Sequence, residues 1–190
     1  MASAGKDSVL QYRRKVVGVI GASDASREAI EQAREIGSAV CRAGAHLACG
    51  GKGGVMEAAC QGFVEERHRL GGMECGVTIG ILPGEYKSDA NPYVDVIVPT
   101  AMGMMRNMIV VQTSDLLVSV AGGSGTLNEI AAGWQKGKTI IAMSTTGGWS
   151  AELAGRLIDG RRPDAIIDAP DTASAEKKIL DLIGPAPSRS

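Results

Sequence analysis

Aromatic side chains are scarce in this sequence, at 3% of 190 residues. The hydrophobic core must therefore be built from Ala, Val, Ile, Leu and Met, a composition that suits helices packed closely on a parallel sheet. The sequence has no run of about 18 apolar residues, and its polar first 14 residues lack the apolar segment of a signal peptide. We therefore expect a soluble, cytoplasmic protein with no membrane partner.

Charge and cysteine spacing exclude two further classes of function. The net charge is −1 and the basic residues are dispersed, so the surface offers no positive stripe for nucleic acid. The four cysteines show no C-x-x-C spacing, and neither histidine has a metal partner by spacing. The cysteines are Cys41, Cys49, Cys60 and Cys75. We expect buried, reduced thiols and no metal site.

Apolar runs of strand length alternate with helical patterns along most of the chain. The runs cover 15–20, 45–49, 77–82, 94–98, 116–120, 138–143 and 165–167, and the helical patterns cover 30–40, 55–66, 101–114, 127–136, 149–158 and 173–183. This alternation predicts an α/β fold with a Rossmann-like parallel sheet and helices on both faces. We expect a single domain over 15–184, between a flexible N-terminus at 1–14 and a flexible tail at 185–190.

A glycine-rich turn at 121–126 is the most informative segment, because it joins a predicted strand to a predicted helix. Gly122, Gly123 and Gly125 let the backbone turn sharply and approach a ligand closely. The N–H groups that open the helix then point at an anion such as phosphate. Glu129 lies about one turn inside this helix, where its carboxylate either acts on a bound ligand or only favours the helix start.

Two more polar or glycine-rich turns follow predicted strands, at Gly21 to Ser23 and at 50–54. In parallel sheets the ligand binds beyond the carboxyl ends of the strands, which is where these turns fall. The 50–54 loop offers N–H groups and Lys52 to an anion, or is only a tight connection. Neither turn fits the G-x-G-x-x-G or G-x-x-x-x-G-K-[ST] pattern, so an ordinary dinucleotide or nucleoside triphosphate site is disfavoured.

Trp149, in a later loop, either contacts a planar ligand or packs at a helix start.

The helical pattern at 101–114 is apolar on nearly every side and contains one arginine, Arg106. Such a helix is either buried or pairs with another subunit, so we expect a homodimer or homotetramer. A buried guanidinium requires an anionic partner. That partner is either Glu129, in a purely structural ion pair, or a phosphate of the ligand.

With these motifs in place, the chain resembles the Lonely Guy superfamily, which has long carried a lysine decarboxylase label. That family has the motif P-G-G-x-G-T-x-x-E, preceded by an arginine-lysine pair on a helix. The glycines at 122, 123 and 125 match, as do Thr126, Glu129 and Arg106, whereas Ala121 replaces the proline and Asn107 replaces the lysine. These departures, with segments 91–93 and 146–149, look most like the branch that includes the molybdenum cofactor carrier proteins.

The resemblance implies one of two functions. A carrier-like protein would bind a phosphate-bearing, nucleotide-like or pterin-like molecule, with the molybdenum cofactor as a possible ligand and no required cofactor. A Lonely Guy-type phosphoribohydrolase would instead cleave nucleoside 5′-monophosphates into free base and ribose 5-phosphate, with Arg106 and Glu129 as catalytic residues. No lysine environment for pyridoxal phosphate is recognisable, so the decarboxylase label is not taken literally. The predicted ligand-binding residues are Gly21, Ser23, Gly50, Gly51, Lys52, Gly54, Gly122, Gly123, Ser124, Gly125 and Thr126.

Overall fold

A computed structural model describes residues 13–72 and 75–183, and its centre is a parallel sheet of seven strands. The strands are β1 Val16–Gly21, β2 His46–Cys49, β3 Thr78–Leu82, β4 Val96–Pro99, β5 Leu116–Val120, β6 Thr139–Met143 and β7 Ile167–Ala169. Their order across the sheet is β4-β3-β2-β1-β5-β6-β7. The predicted α/β architecture is confirmed. The predicted flexible tail at 185–190, and most of the predicted flexible N-terminus, lie outside the described residues.

Helices cover both faces of the sheet. They are α1 Arg27–Arg42, α2 Val55–Arg69, α3 Asn107–Thr113, α4 Ser124–Gln135, α5 Gly148–Leu153 and α6 Thr172–Ile183. One core lies between the sheet and α1, α2 and α6, and a second lies between the sheet and the helices α3 and α4. None of the described helices has the length and apolarity needed to cross a membrane.

Small residues allow the close helix packing that the low aromatic content requires. A Cβ on Gly37 of α1 would collide with the carbonyl oxygen of Ala59 in α2, and one on Gly62 of α2 would collide with that of Arg34. These two helices therefore touch backbone to backbone. Aromatic residues fill only a few core positions, such as Phe63 and Trp134, which are fully buried.

The segment before β5 differs from the predicted helix at 101–114. Residues Gly103–Arg106 form a 3-10 turn, and the α-helix covers only Asn107–Thr113. The backbone reason is that Ala101 and Gly103 both have positive φ, at 56° and 53°, which interrupts a right-handed helix. The segment is also only partly buried in this chain, because Val110 and Val111 are buried whereas its four methionines are exposed. They are Met102, Met104, Met105 and Met108.

Two other helix boundaries differ from the prediction. The helix predicted at 149–158 ends at Leu153, because Ala154 has a non-helical ψ of 129° and Gly155 has a φ of 74°. The first helix is capped by Ser26, whose hydroxyl accepts from the N–H of Ala29, and not by the earlier Ser23 or Asp24. Ser23 and Asp24 are thereby left in the loop beyond β1, at the carboxyl edge of the sheet.

Candidate functional site

A cavity of about 490 Å³ opens at the carboxyl ends of the central strands. It lies where β1 pairs with both β2 and β5, which is the point at which the chain order across the sheet reverses. Its lining is formed by Gly21, Ala22, Ser23, Asp24, Lys52, Met56, Arg106, Asn107, Gly123, Ser124, Gly125, Thr126 and Glu129. Loops after three strands and the segment before α3 thus converge on one space.

The turn after β5 presents the start of α4 to this cavity. Gly122 has a φ of 105°, and a Cβ there would collide with the side chain of Thr126, so the sharp turn requires glycine. Gly123 is the N-cap and supplies no side-chain cap, and the first N–H that reaches its carbonyl is that of Leu127, at 3.0 Å. The N–H groups at the start of α4 therefore have no acceptor within the helix, an arrangement that is suited to an anion.

The Arg106 guanidinium forms one wall of the cavity. Its side chain is only 12% exposed, and Nη1 lies 3.7 Å from Oε1 of Glu129, within ion-pair distance but beyond hydrogen-bond distance. The Nε and Nη1 atoms are buried without a hydrogen-bond partner among the residues that the structure describes. A buried guanidinium with two unused donors is costly, so the arrangement favours an anion bound against Arg106.

Glu129 projects from α4 toward the same space. Burial raises the pKa of its carboxyl to about 7, against the opposing effect of Arg106, which lowers it. The carboxyl group is consequently divided between its acid and ionised forms near neutral pH. It is therefore able to release or accept a proton beside a bound anion.

The loop after β2 contributes to the site in two ways. Lys52 lines the cavity, whereas Gly50 lies beneath Arg106, where a Cβ would collide with the guanidinium. Gly51 and Gly54 have positive φ, at 71° and 68°, and also do not line the cavity. A Cβ on Gly54 would collide with the carbonyl oxygen of Ser23, so this glycine lets the loops after β1 and β2 pack together.

Asn91 holds the β2 loop in place, and the sequence prediction did not identify it. Its buried side chain donates from Nδ2 to the carbonyl oxygen of Lys52 at 3.0 Å, and its N–H donates to that of Gly51 at 2.9 Å. Its Oδ1 accepts from the N–H of Tyr93 at 3.1 Å. The sequence signals are an asparagine before a proline in a polar loop, which is common in turns, and the resemblance of segment 91–93 to the carrier branch.

The end of β1 and the loop after it bring both predicted residues, Gly21 and Ser23, to the cavity. Asp24 lines it as well, since Ser26 and not Asp24 caps α1. Asn107, which stands in place of the family's lysine, also lines the cavity, and its Nδ2 donates to Oδ1 of Asn128 at 3.2 Å. The side-chain charges at the cavity are therefore those of Arg106 and Lys52 against Asp24 and Glu129.

The cysteines and histidines lie outside the cavity lining. In the described part of the chain, no group of three or more His, Cys, Asp or Glu side chains is placed to hold a metal ion. All four cysteines are free, and three of them are buried. Cys49 and Cys60 form a contact of 3.6 Å between their sulfur atoms. His46 Nδ1 accepts from the N–H of Val77 at 3.1 Å, which is a structural bond between β2 and the start of β3.

Comparison with known proteins identifies the family. The model of the SLOG cluster4 family matches residues 14–170 of the chain. The chain belongs to this family. An uncharacterised protein of Archaeoglobus fulgidus is 37% identical over 127 residues, which are 67% of this chain and 78% of that protein.

Solved structures similar to this SLOG cluster4 protein include two molybdenum cofactor proteins. The molybdenum cofactor binding protein of Rippkaea orientalis has a TM-score of 0.77 and 28% identity, over 90% of this chain and 99% of that one. The molybdenum cofactor carrier protein of Chlamydomonas reinhardtii has a TM-score of 0.75 and 28% identity, over 90% of this chain and 98% of that one.

Proposed function

We propose that this SLOG cluster4 protein binds a phosphate-bearing small molecule in the cavity, and that it acts as a carrier of a pterin-like ligand such as the molybdenum cofactor. The observation that carries the proposal is the buried guanidinium of Arg106, whose Nε and Nη1 atoms have no partner among the described residues. Such a group is stabilised when an anion fills the space in front of it.

The rest of the cavity supports a phosphate as that anion. The uncapped start of α4, with Ser124, Gly125 and Thr126, lines the same space as Lys52 and Arg106. Helix N-termini and basic side chains together form typical phosphate sites. A volume of about 490 Å³ leaves room for more than a phosphate, so an organic group attached to it fits in the same cavity.

The carrier function within that class is supported by the similar structures and by Asn107. Both molybdenum cofactor proteins align over 90% of this chain. At the position where the Lonely Guy motif has a lysine, this chain places the neutral and buried Asn107, which bonds to Asn128. The cavity therefore lacks one cation of the hydrolase motif while it keeps the anion-binding elements.

A phosphoribohydrolase is the second candidate, and the environment of Glu129 favours it. A carboxyl group with a pKa of about 7 at the cavity wall is suited to acid-base catalysis at neutral pH. In its ionised form it would stabilise the positive charge that develops on the ribose ring during N-glycosidic cleavage. Hydrolysis thus requires the ionised carboxylate of Glu129, whereas binding of a phosphate compound does not.

One experiment separates the two candidates. The purified protein is titrated calorimetrically with inorganic phosphate, a panel of nucleoside 5′-monophosphates and molybdopterin, and each nucleotide mixture is then analysed by chromatography for free base. Tight binding of molybdopterin without base release supports the carrier function, and base release supports the hydrolase. If none of the phosphate compounds binds, the proposal is wrong.

We also propose that the protein forms a homodimer or homotetramer. An apolar surface, here called the methionine patch, covers the exposed edge strand β4 and the segment after it. It consists of Val96, Val98, Met102, Met104, Met105 and Met108, all of which are exposed. The same segment carries Arg106 into the cavity, so subunit contacts at this patch would also fix the position of the arginine. A cytoplasmic location and the lack of a nucleic-acid partner stay predictions from composition.

A further inference from the structure

We propose that Thr146 is a positioning residue for the anion site, because its hydroxyl holds the turn after β5 in the conformation that presents the start of α4 to the cavity. Thr146 follows β6 and does not line the cavity itself. Its role would therefore be exerted through the turn at 121–123. This inference rests on the proposed function, since it concerns the binding of phosphate at that turn.

The turn begins with a residue in an unfavourable conformation. Ala121 has a φ of 52°, and within residues 13–72 and 75–183 only Ala101 is another non-glycine residue with positive φ. In this region the Cβ of alanine is crowded by its own backbone, so the conformation persists only when surrounding contacts impose it. The next residue, Gly122, has a φ of 105°, and α4 begins at Ser124.

The Thr146 hydroxyl supplies one of these contacts, and it acts both as an acceptor and as a donor. Its Oγ1 accepts from the N–H of Ala121 at 2.7 Å and donates to the carbonyl oxygen of Met143, also at 2.7 Å. Met143 is the last residue of β6. One hydroxyl thus joins the turn after β5 to the end of the neighbouring strand.

The start of α5 adds three more bonds to the same turn. The Ser150 hydroxyl and N–H both donate to the carbonyl oxygen of Ala121, at 2.6 and 3.0 Å. The N–H of Trp149 donates to the carbonyl oxygen of Gly122 at 3.0 Å. A Cβ on Gly148 would come within 2.5 Å of that same oxygen, so the close approach of the two loops requires glycine there. Both peptide groups of Ala121 are therefore fixed from the β6 side.

Three substitutions test the role of the hydroxyl. Thr146→Val keeps the shape of the side chain, removes both hydrogen bonds and leaves the N–H of Ala121 without its partner. Thr146→Ser keeps the hydroxyl and is the rescue variant. Thr145→Val is the matched control, because the Thr145 hydroxyl bonds to Gln32 and to the carbonyl oxygen of Pro170 and not to the turn.

Each variant is measured in two ways. Amide hydrogen exchange of residues 121–126 in the ligand-free protein reports the order of the turn, and calorimetric titration with inorganic phosphate reports the site. For Thr146→Val we expect faster exchange of the turn and phosphate affinity at least about fivefold weaker, the effect of losing one well-placed hydrogen bond. Thr146→Ser and Thr145→Val should match the parent in both measurements.

The outcomes separate this inference from the proposed function. If the parent binds no phosphate, the proposed function fails, while hydrogen exchange still decides whether Thr146 orders the turn. If Thr146→Val keeps the exchange pattern or the phosphate affinity of the parent, Thr146 is not a positioning residue. Should Thr146→Val fail to fold, Thr146→Ala replaces it, because that smaller side chain also lacks the hydroxyl and both of its hydrogen bonds. The same expectations and the same refutation then apply.

Discussion

The guanidinium of Arg106 lies directly over Gly50, in the space that a Cβ would occupy. Gly50 follows β2, whereas Arg106 comes from the segment before α3, so two distant parts of the chain fit together at this point. The absence of a side chain at Gly50 lets the guanidinium reach the cavity wall beside Glu129. Gly50 thus leaves room for the Arg106 side chain but does not itself line the cavity.

Gly50→Ala should consequently weaken the binding of anions. The new methyl group collides with the guanidinium, so Arg106 must move away from the cavity, and we expect at least a tenfold loss of phosphate affinity, or about 1.4 kcal/mol. Gly53→Ala is the matched control, because a Cβ there meets only Oε2 of Glu57 at 3.6 Å. Isothermal titration with inorganic phosphate measures both. Equal losses in the two variants would contradict this account of Gly50.

Arg106→Ala and Glu129→Gln remove different properties from one cavity. Loss of the Arg106 cation should weaken phosphate binding at least tenfold, by about 1.4 kcal/mol or more for a charge-assisted hydrogen bond. Glu129→Gln removes a negative charge, so a carrier should bind phosphate as tightly as before or more tightly, whereas a hydrolase should keep binding and lose turnover.

Calorimetry and a free-base assay measure these effects. Arg34→Ala is the control for a lost arginine, because Arg34 bonds to Glu65 on the surface of α1 and α2. If Arg106→Ala binds phosphate like the parent, then Arg106 has only a structural role and the site assignment is wrong.

The raised pKa of Glu129 predicts a pH dependence of stability. In the folded protein the carboxyl pKa is about 7, above its ordinary value of 4.5, so the folded state binds the proton more tightly than the unfolded state. The stabilisation from this group is complete below pH 4.5 and is lost as the pH rises through 7. Its full size is on the order of 3 kcal/mol.

Glu129→Gln should therefore gain stability relative to the parent between pH 5 and pH 8. Urea denaturation at several pH values gives the free energy of unfolding of both proteins, and their difference isolates Glu129 from the other titrating groups. The exposed Glu152→Gln serves as the control for a lost carboxylate on the surface. A difference between Glu129→Gln and the parent that stays constant over this range would show that burial of Glu129 does not affect its titration.

Much of the fold and part of the candidate site are predictable from the sequence for a physical reason. Buried parallel strands are continuous apolar runs, and parallel strands bring the loops after them to one edge of the sheet. This logic alone predicts that Gly21, Lys52 and Gly125 face a common space, and all three line the cavity. For the anionic partner of Arg106 the sequence leaves two alternatives, Glu129 or a ligand phosphate, and the structure places Glu129 3.7 Å away, at ion-pair distance but without a hydrogen bond.

The features that the sequence does not reveal depend on contacts between loops. Asp24 faces the cavity only because Ser26, further along the chain, takes the cap of α1. The bonds of Asn91 to the β2 loop and of Thr146 to Ala121 join residues that are far apart in sequence, and no periodic pattern indicates them. Ala121 is an example. Alanine in place of the family's proline looks like a minor change in the sequence, yet the φ of 52° at Ala121 and the hydrogen bond that its N–H donates are both impossible for proline.

The methionine patch predicts self-association of the protein. Met104 and Met105 are 69% and 71% exposed, and they follow the edge strand β4, whose Val96 and Val98 are also exposed. Exposed apolar side chains at and near an unpaired sheet edge favour contact with a second chain. Light scattering at micromolar concentration should give the mass of two or four chains. Met104→Glu should reduce it to that of one chain, because a carboxylate in the contact would lose its hydration.

Leu157→Glu is the matched control for this prediction, since Leu157 is also exposed, at 51%, and does not belong to the patch. That variant should keep the mass of the parent. Because Arg106 lies in the segment of the patch, the monomeric Met104→Glu protein should also bind phosphate more weakly than the parent if subunit contact fixes the arginine. A parent protein that is strictly monomeric at micromolar concentration would refute the prediction, and the exposed methionines would then need a different partner.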